Sequence, residues 1–143
     1  MTPIERDIVM RKLKVLREGL ATLEQLACIG LDAYRRDIVK RKAAERILQQ
    51  TIEAALDINA HVLAGIGAGP PDDYYASFIR MGENQVLEPE LANELAPAAG
   101  LRNRLVHQYD DLDDALVFRA IDKMLRVFPR YLKAVVGFLD ARI

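Results

Sequence analysis

The sequence predicts an all-α fold, an up-and-down bundle of four long helices plus one short helix, and three observations predict it. Apolar residues recur at alternating steps of three and four along most of the chain, the spacing that lines one face of a helix. No segment alternates polar and apolar residues as a half-buried strand does. Glycine and proline concentrate at a few breaks, chiefly Gly65 to Pro71, which divide the chain into pieces of helical length. No internal repeat, low-complexity tract or linker interrupts this pattern, so residues 1–143 are expected to form a single helical domain.

Each element has its own signal. Thr2 reads as the N-cap of the first helix, with Pro3 at its first position and Glu5 completing a capping box. Val9, Leu13, Leu16, Leu20, Leu23 and Ala27 form its apolar stripe, and Gly30 offers a left-handed C-terminal residue. A second long helix is expected from about Leu31 to Ala64, with Ala43, Ile47, Ala54, Ile58 and Val62 buried. A short helix follows from Asp73 to about Met81, then a break over Gly82 to Glu88. Pro89 opens the fourth helix, whose stripe of Leu91, Leu95 and Ala98 runs on to Arg102, Leu105 and Tyr109, with Pro97 kinking it. The acidic run Asp110, Asp111, Asp113 and Asp114 suits the N-terminus of a last helix. Phe118, Ile121, Leu125, Phe128, Leu132, Val135 and Leu139 give that helix its stripe, and Pro129 predicts a bend in it.

Composition bounds the function. About half the residues are hydrophobic (51%), enough for a sizeable core. Twenty basic and 21 acidic side chains leave a formal charge of -1, which excludes a generic basic coat for nucleic acid but not a small basic site. Cys28 is the only cysteine, so no internal disulfide forms. With no signal-peptide pattern at the N-terminus and no apolar run approaching the roughly 18 residues of a membrane span, a cytoplasmic chain without a membrane partner is expected. Gly65, Gly67 and Gly69 lack the lysine of a phosphate-binding loop, and no cysteine–histidine cluster has zinc spacing. No cofactor and no metal are expected.

The informative segment is Leu101-Arg102-Asn103-Arg104-Leu105-Val106-His107-Gln108-Tyr109-Asp110. Two positions of an apolar stripe hold a guanidinium and a phenol, and an inward arginine needs an anion, a carbonyl or a water-filled cleft. At about 100° per residue, Arg102 and Tyr109 share a face, with Asn103 and His107 as neighbours round the helix. Asp111, four residues beyond His107, can orient its ring if the helix continues that far. The set suits cleavage of RNA without a metal. An imidazole with an ordinary pKa of about 6.5 can take the proton of an attacking 2′-hydroxyl. A guanidinium offers fixed charge to the phosphorane-like transition state. Asn103 can hold His107 or a phosphate oxygen, and Tyr109 can donate to phosphate or stack on a base. One histidine per chain is thin for a reaction needing a base and an acid, so a homodimer with this helix at its interface belongs to the same expectation. Taken alone, an Arg-x4-His spacing also occurs by chance in helices, with the arginine paired to a carboxylate at the core's edge.

The same segment resembles the signature of HEPN-domain proteins, an arginine followed by a polar residue and then a histidine. Its Arg-Asn-x-x-x-His-x-Tyr form, with Leu105-Val106 before the histidine, is similar to the HepT toxin branch. The second helix, with Ala44-Glu45-Arg46 and Gln50 to Ile58, is similar as well, and the resemblance covers nearly all of the chain. It implies a dimeric, metal-independent endoribonuclease toxin of a type VII-like toxin–antitoxin pair. Its implied partners are RNA and a minimal nucleotidyltransferase (MntA-like) antitoxin. That antitoxin would transfer AMP from ATP to the tyrosine two residues after the histidine, here Tyr109. The added phosphodiester would occupy the phosphate site beside Arg102 and His107 and repel RNA. A non-catalytic HEPN module that serves as partner or substrate of the nucleotidyltransferase is the alternative. A bundle with a coincidental motif is a third reading.

Other polar residues carry weaker expectations. Asp57 can reach the motif helix and pair with Arg102, or sit on a solvated face. His61 reads as a capping or surface residue. Arg35, Arg36, Lys40, Arg41 and Lys42 can steer phosphates or simply face solvent. Cys28 reads as a small apolar residue, and Tyr74 and Tyr75 as packing residues or part of an interface.

Overall fold

The computed structural model describes residues 3–142, with the backbone alone at Tyr109. Among the described residues it is all-α, without strands. Three helices are long: α1 (Arg6–Ala27), α3 (Ile38–Gly65) and α7 (Asp114–Ala141). Between them come α2 (Leu31–Arg36), α4 (Tyr74–Glu83), α5 (Pro89–Leu95) and α6 (Ala98–His107), with a 3-10 turn at Tyr109–Asp111.

The count departs from four long helices and one short because two expected helices are each divided. The second breaks at Asp37, which leaves helical geometry (φ -118°, ψ 98°) and accepts a hydrogen bond from Lys40 N as the N-cap of α3. The fourth breaks at Ala96 and Pro97. Pro97 has no N–H to continue the ladder, and the chain restarts with Pro97 O accepting from Gly100 N and Leu101 N. Pro129, in contrast, lies within α7 without ending it.

Helix ends also shifted. Thr2 lies outside the described residues. α1 begins at Arg6 with Glu5 as N-cap rather than inside a capping box, and the Glu5 N–H donates to Nε2 of His61 across the fold at 2.9 Å. Gly30 takes a positive φ (84°) but serves as the N-cap of α2. Cys28 is exposed rather than packed.

α3 is the central helix and packs against α1, α2, α4, α6 and α7. In its first half the buried face lies one residue on from the expected stripe. Ala44 and Leu48 are fully buried, while Ala43 and Ile47 are half-buried. From Thr51 onward most of its circumference is buried, because neighbours cover both flanks. α1 approaches closely where Gly19 faces Thr51; a Cβ at Gly19 would collide with the threonine hydroxyl. One hydrophobic core draws on every helix.

At its centre is a buried polar chain. The Tyr131 hydroxyl donates to Asn59 Oδ1 (2.6 Å), with Ala55 O as a second acceptor at 3.1 Å. Asn59 Nδ2 donates to Ser77 Oγ (3.1 Å), which donates to Tyr74 O (2.8 Å). Tyr131 also packs edge-on against Phe78 and Phe128. A second phenol, Tyr34 on α2, is buried against Phe118, and its hydroxyl meets no partner among the described residues.

Burial pushes both phenols above the ordinary tyrosine range, with Glu45 and Asp114 adding to the rise at Tyr34. The folded chain therefore keeps protons that the unfolded chain releases above about pH 10. Fewer protons bound in the unfolded state mean that stability, fully present below that pH, falls as pH rises. Urea denaturation between about pH 9 and pH 11 should show this loss, and Tyr34→Phe should flatten it. An unchanged slope in Tyr34→Phe would contradict the assignment to Tyr34.

Candidate active site

The site is built where α6 and α4 meet α3. α6 presents Arg102 half-buried and Asn103 and His107 exposed, while Leu101 and Leu105 anchor it in the core. Arg102, Asn103 and His107 line one cleft of about 750 Å³. Tyr74 and Tyr75, at the start of α4, line it as well.

Arg102 is held on three sides. Its Nε and Nη2 donate to a single oxygen of Glu53 on α3, at 3.2 and 2.9 Å. Its Nη1 donates to Asn103 Oδ1 at 3.2 Å. The guanidinium carbon stands 5.1 Å from the centre of the Tyr74 ring, within range for a cation–π contact. A guanidinium has five N–H donors; these contacts engage three, which leaves two for a ligand. Arg102 thus pairs with a carboxylate at the edge of the core and still faces the cleft.

Three expectations are corrected. Asp57 does not pair with Arg102: it binds Lys12 of α1 at 2.9 Å, and Glu53, one turn earlier, takes the arginine. Arg102 and Tyr109 do not share a helical face, because α6 ends at His107 and Gln108 leaves helical geometry (φ -127°, ψ 31°). Carboxylates at Asp110 and Asp111 are unfavourable at the negative end of a helix, and Asp113 caps the next helix instead, accepting from Ala115 N and Leu116 N. For the same reason Asp111 sits in the 3-10 turn, and no hydrogen bond joins it to His107 among the described residues. The Tyr109 side chain lies outside the described set; its backbone opens that turn.

Sequence reasoning missed Glu53. The available signal was a carboxylate flanked by Thr51, Ile52, Ala54 and Ala55, all buried in the structure, but nothing local says which helix it meets. The basic run at the α2–α3 junction mostly answers nearby acids. Lys40 faces Asp37 (3.9 Å), Arg41 faces Asp114 (3.8 Å) and Lys42 faces Glu45 (3.4 Å). Among the described residues no group of three or more His, Cys, Asp or Glu side chains is placed to hold a metal ion. Among the described residues no helix is long and apolar enough to cross a membrane.

The α-helical bundle itself has structural counterparts. The fold matches that of the tri-AMPylated Shewanella oneidensis HEPN toxin solved in complex with MNT antitoxin (TM-score 0.84, 23% identity), covering 93% of this chain and 99% of that one. The fold is therefore the one that this HEPN toxin has. Within it, the chain belongs to the ribonuclease HepT-like family, whose model matches residues 16–135. It is 40% identical to the tRNA nuclease HepT of Aphanizomenon flos-aquae over 97% of this chain and 95% of that protein. It is 24% identical to the mRNA nuclease HepT of Shewanella oneidensis over 90% of this chain and 96% of that protein.

The Glu53–Arg102 pair can be measured directly. Both side chains are partly solvated (33% and 18% exposed), so screening reduces the pair to about 1 kcal/mol. A double-mutant cycle with Glu53→Ala and Arg102→Ala should return a coupling of about that size in urea denaturation. Additive effects would show that the contact contributes nothing to stability.

Proposed function

We propose that this chain is an endoribonuclease toxin that cuts RNA without a metal through Arg102, Asn103 and His107. On this reading it acts as a homodimer and is neutralised when a minimal nucleotidyltransferase antitoxin transfers AMP to Tyr109. One observation carries the reading: Arg102, with two donors uncommitted, shares an open cleft with Asn103 and His107. The names of two relatives, a tRNA nuclease and an mRNA nuclease, support the activity. The AMPylated HEPN toxin bound to its MNT antitoxin supports the partner.

The chemistry needs no co-reactant. His107 accepts the proton of a ribose 2′-hydroxyl as that oxygen bonds to the neighbouring phosphorus. The bond from phosphorus to the 5′-oxygen breaks, and the leaving oxygen takes a proton from an imidazolium or water. The products are a 2′,3′-cyclic phosphate and a 5′-hydroxyl. Arg102 stabilises the charge gathered on the non-bridging oxygens, and Glu53 and Asn103 fix where its free donors point. A second His107, from a two-fold-related copy, supplies the acid. AMP transfer joins the Tyr109 oxygen to the α-phosphorus of ATP and releases pyrophosphate. It leaves a phosphodiester charge two residues from His107, where it competes with the RNA backbone.

Unmodified protein incubated with purified total RNA should cleave it equally with and without EDTA, and His107→Ala should lose about a hundredfold or more of the rate. Cleavage that survives His107→Ala removes the histidine from the mechanism, and cleavage abolished by EDTA removes the metal-independent route. No cleavage by wild type, together with AMP transfer to it, would favour a non-catalytic module that serves the nucleotidyltransferase as substrate.

With the antitoxin and ATP added, wild type should gain AMP at Tyr109 and stop cutting, whereas Tyr109→Phe should continue. Mass spectrometry reads the modification. AMP found on Tyr109→Phe, or inhibition of it by ATP-dependent modification, would place the acceptor elsewhere.

A further inference from the structure

The cleft is larger than a phosphate needs, and its far side has a chemistry that the cleavage step does not use. Resting on the ribonuclease reading, we propose that the side of the cleft formed by the start of α4 and the loop before it is a nucleobase subsite. There Tyr75 stacks on an unpaired base of the RNA beside the phosphate held at Arg102 and His107.

Four observations carry this. First, about 750 Å³ is within the usual range for a bound small molecule, roughly 300–1,000 Å³. Part of its lining is small and apolar, made by Leu56, Ala60, Ala99 and Gly100, and a Cβ at Gly100 would meet nothing within 4 Å.

Second, the two tyrosines divide their roles. Tyr74, 47% exposed, is engaged by the Arg102 guanidinium over its ring. Tyr75 lines the same cleft, is 52% exposed, and has no aromatic or cationic partner among the described residues. An uncommitted ring beside a phosphate site is what base stacking requires.

Third, the polar side chains that line the cleft differ in chemistry between the two elements. Arg102 and His107 stand on α6, whereas Asp72 and Asp73 stand on the loop. Asp73 is committed to capping α4 through Ala76 N (2.7 Å). Asp72 has no hydrogen-bond partner among the described residues. Carboxylates repel the RNA backbone but accept from base amino groups, so the backbone is directed to α6 and the base to the loop.

Fourth, the platform is preformed. Gly67 and Gly69 take positive φ (73° and 81°), Pro70 and Pro71 follow, and Arg80 of α4 ties the loop down by donating to Ala68 O and Pro70 O. Ser77 holds the Tyr74 carbonyl from within. Little ordering is left for the ligand to impose.

The test uses a His107→Ala background, in which cleavage is lost, and a single-stranded RNA hexamer, each affinity being compared with that of His107→Ala itself. Tyr75→Ala in that background should weaken binding about five- to hundredfold, the range for one lost base stack, and Tyr75→Phe should restore it. A hexamer with one abasic ribose at the stacked position should lose the same factor, and combining it with Tyr75→Ala should cost no more. In the cleaving protein, Tyr75→Ala should raise KM by more than it lowers kcat. Unchanged hexamer affinity in Tyr75→Ala, or full additivity with the abasic ribose, overturns the subsite while leaving the ribonuclease reading intact. Absence of cleavage by wild type, with Tyr75-dependent hexamer binding, sinks the ribonuclease reading and leaves the subsite standing. AMP alone separates a mononucleotide site from an RNA site: AMP binding as tightly as the hexamer overturns the RNA assignment. So does a Tyr75→Ala chain that changes its sedimentation and not its RNA affinity, which would mark Tyr75 as an interface residue.

Discussion

The hydroxyl of Tyr131 is the point on which the arrangement turns. It sits in the middle of α7, fully buried, and donates to the fully buried Asn59 on α3. Asn59 in turn donates to Ser77 on α4, and Ser77 to the carbonyl of Tyr74. Polar groups shut away from water must find partners or lose stability, about 1–3 kcal/mol for each left unpaired. Satisfying this chain leaves little choice in how α7, α3 and α4 sit together. The first turn of α4 is the end of that chain, and it is also where Tyr74 and Tyr75 enter the cleft. The depth of the core and the geometry of the surface site are thus joined by hydrogen bonds, not only by packing.

α6 is positioned by a different device. Its buried residues are Ala98, Ala99, Leu101 and Leu105, small or few, so a short helix lies close to α3. Arg102 then crosses to Glu53, and the ion pair sets the azimuth that packing of small side chains leaves loose. The pair is not chiefly a source of stability at this exposure. Its effect is to hold the guanidinium in a fixed direction at the cleft, which on the proposed function leaves little reorganisation for phosphate binding.

What the sequence revealed and what it hid follows from the range of each interaction. The α1 stripe is local, and Val9, Leu13, Leu16, Leu20 and Leu23 are all buried as the spacing implies. Arg102, Asn103 and His107 lie within one short segment of one helix, so their convergence was legible. The break at Asp37 was legible in principle, since an aspartate before Ile38 and Val39 is an N-cap pattern, but the surrounding basic run masked it. Glu53 and Asp57 differ by only about 40° round α3, yet one meets α6 and the other α1. No local pattern resolves that choice, because it depends on which helix packs on which flank. The Tyr109 face failed for the reverse reason. A 3.6-residue period was extended past a point where clustered carboxylates make continuation of the helix unfavourable.

The near-zero net charge, which at first argues against an RNA partner, is consistent with this architecture. A protein that coats nucleic acid needs many phosphate contacts, and its affinity scales with them. A cleft that acts at one linkage needs only one well-placed cation, with no further positive charge on the side that takes the base. Here Lys40, Arg41 and Lys42 are each opposed by an acid, whereas Arg102 keeps free donors because Glu53 occupies one edge of its guanidinium and not the whole. On the proposed function, recognition comes from short-range contacts, phosphate on the α6 side and aromatic surface on the α4 side, and not from a long-range field. Such a site favours single-stranded RNA, whose bases can leave the stack at little cost, and it would bind duplex weakly for want of both charge and an exposed base.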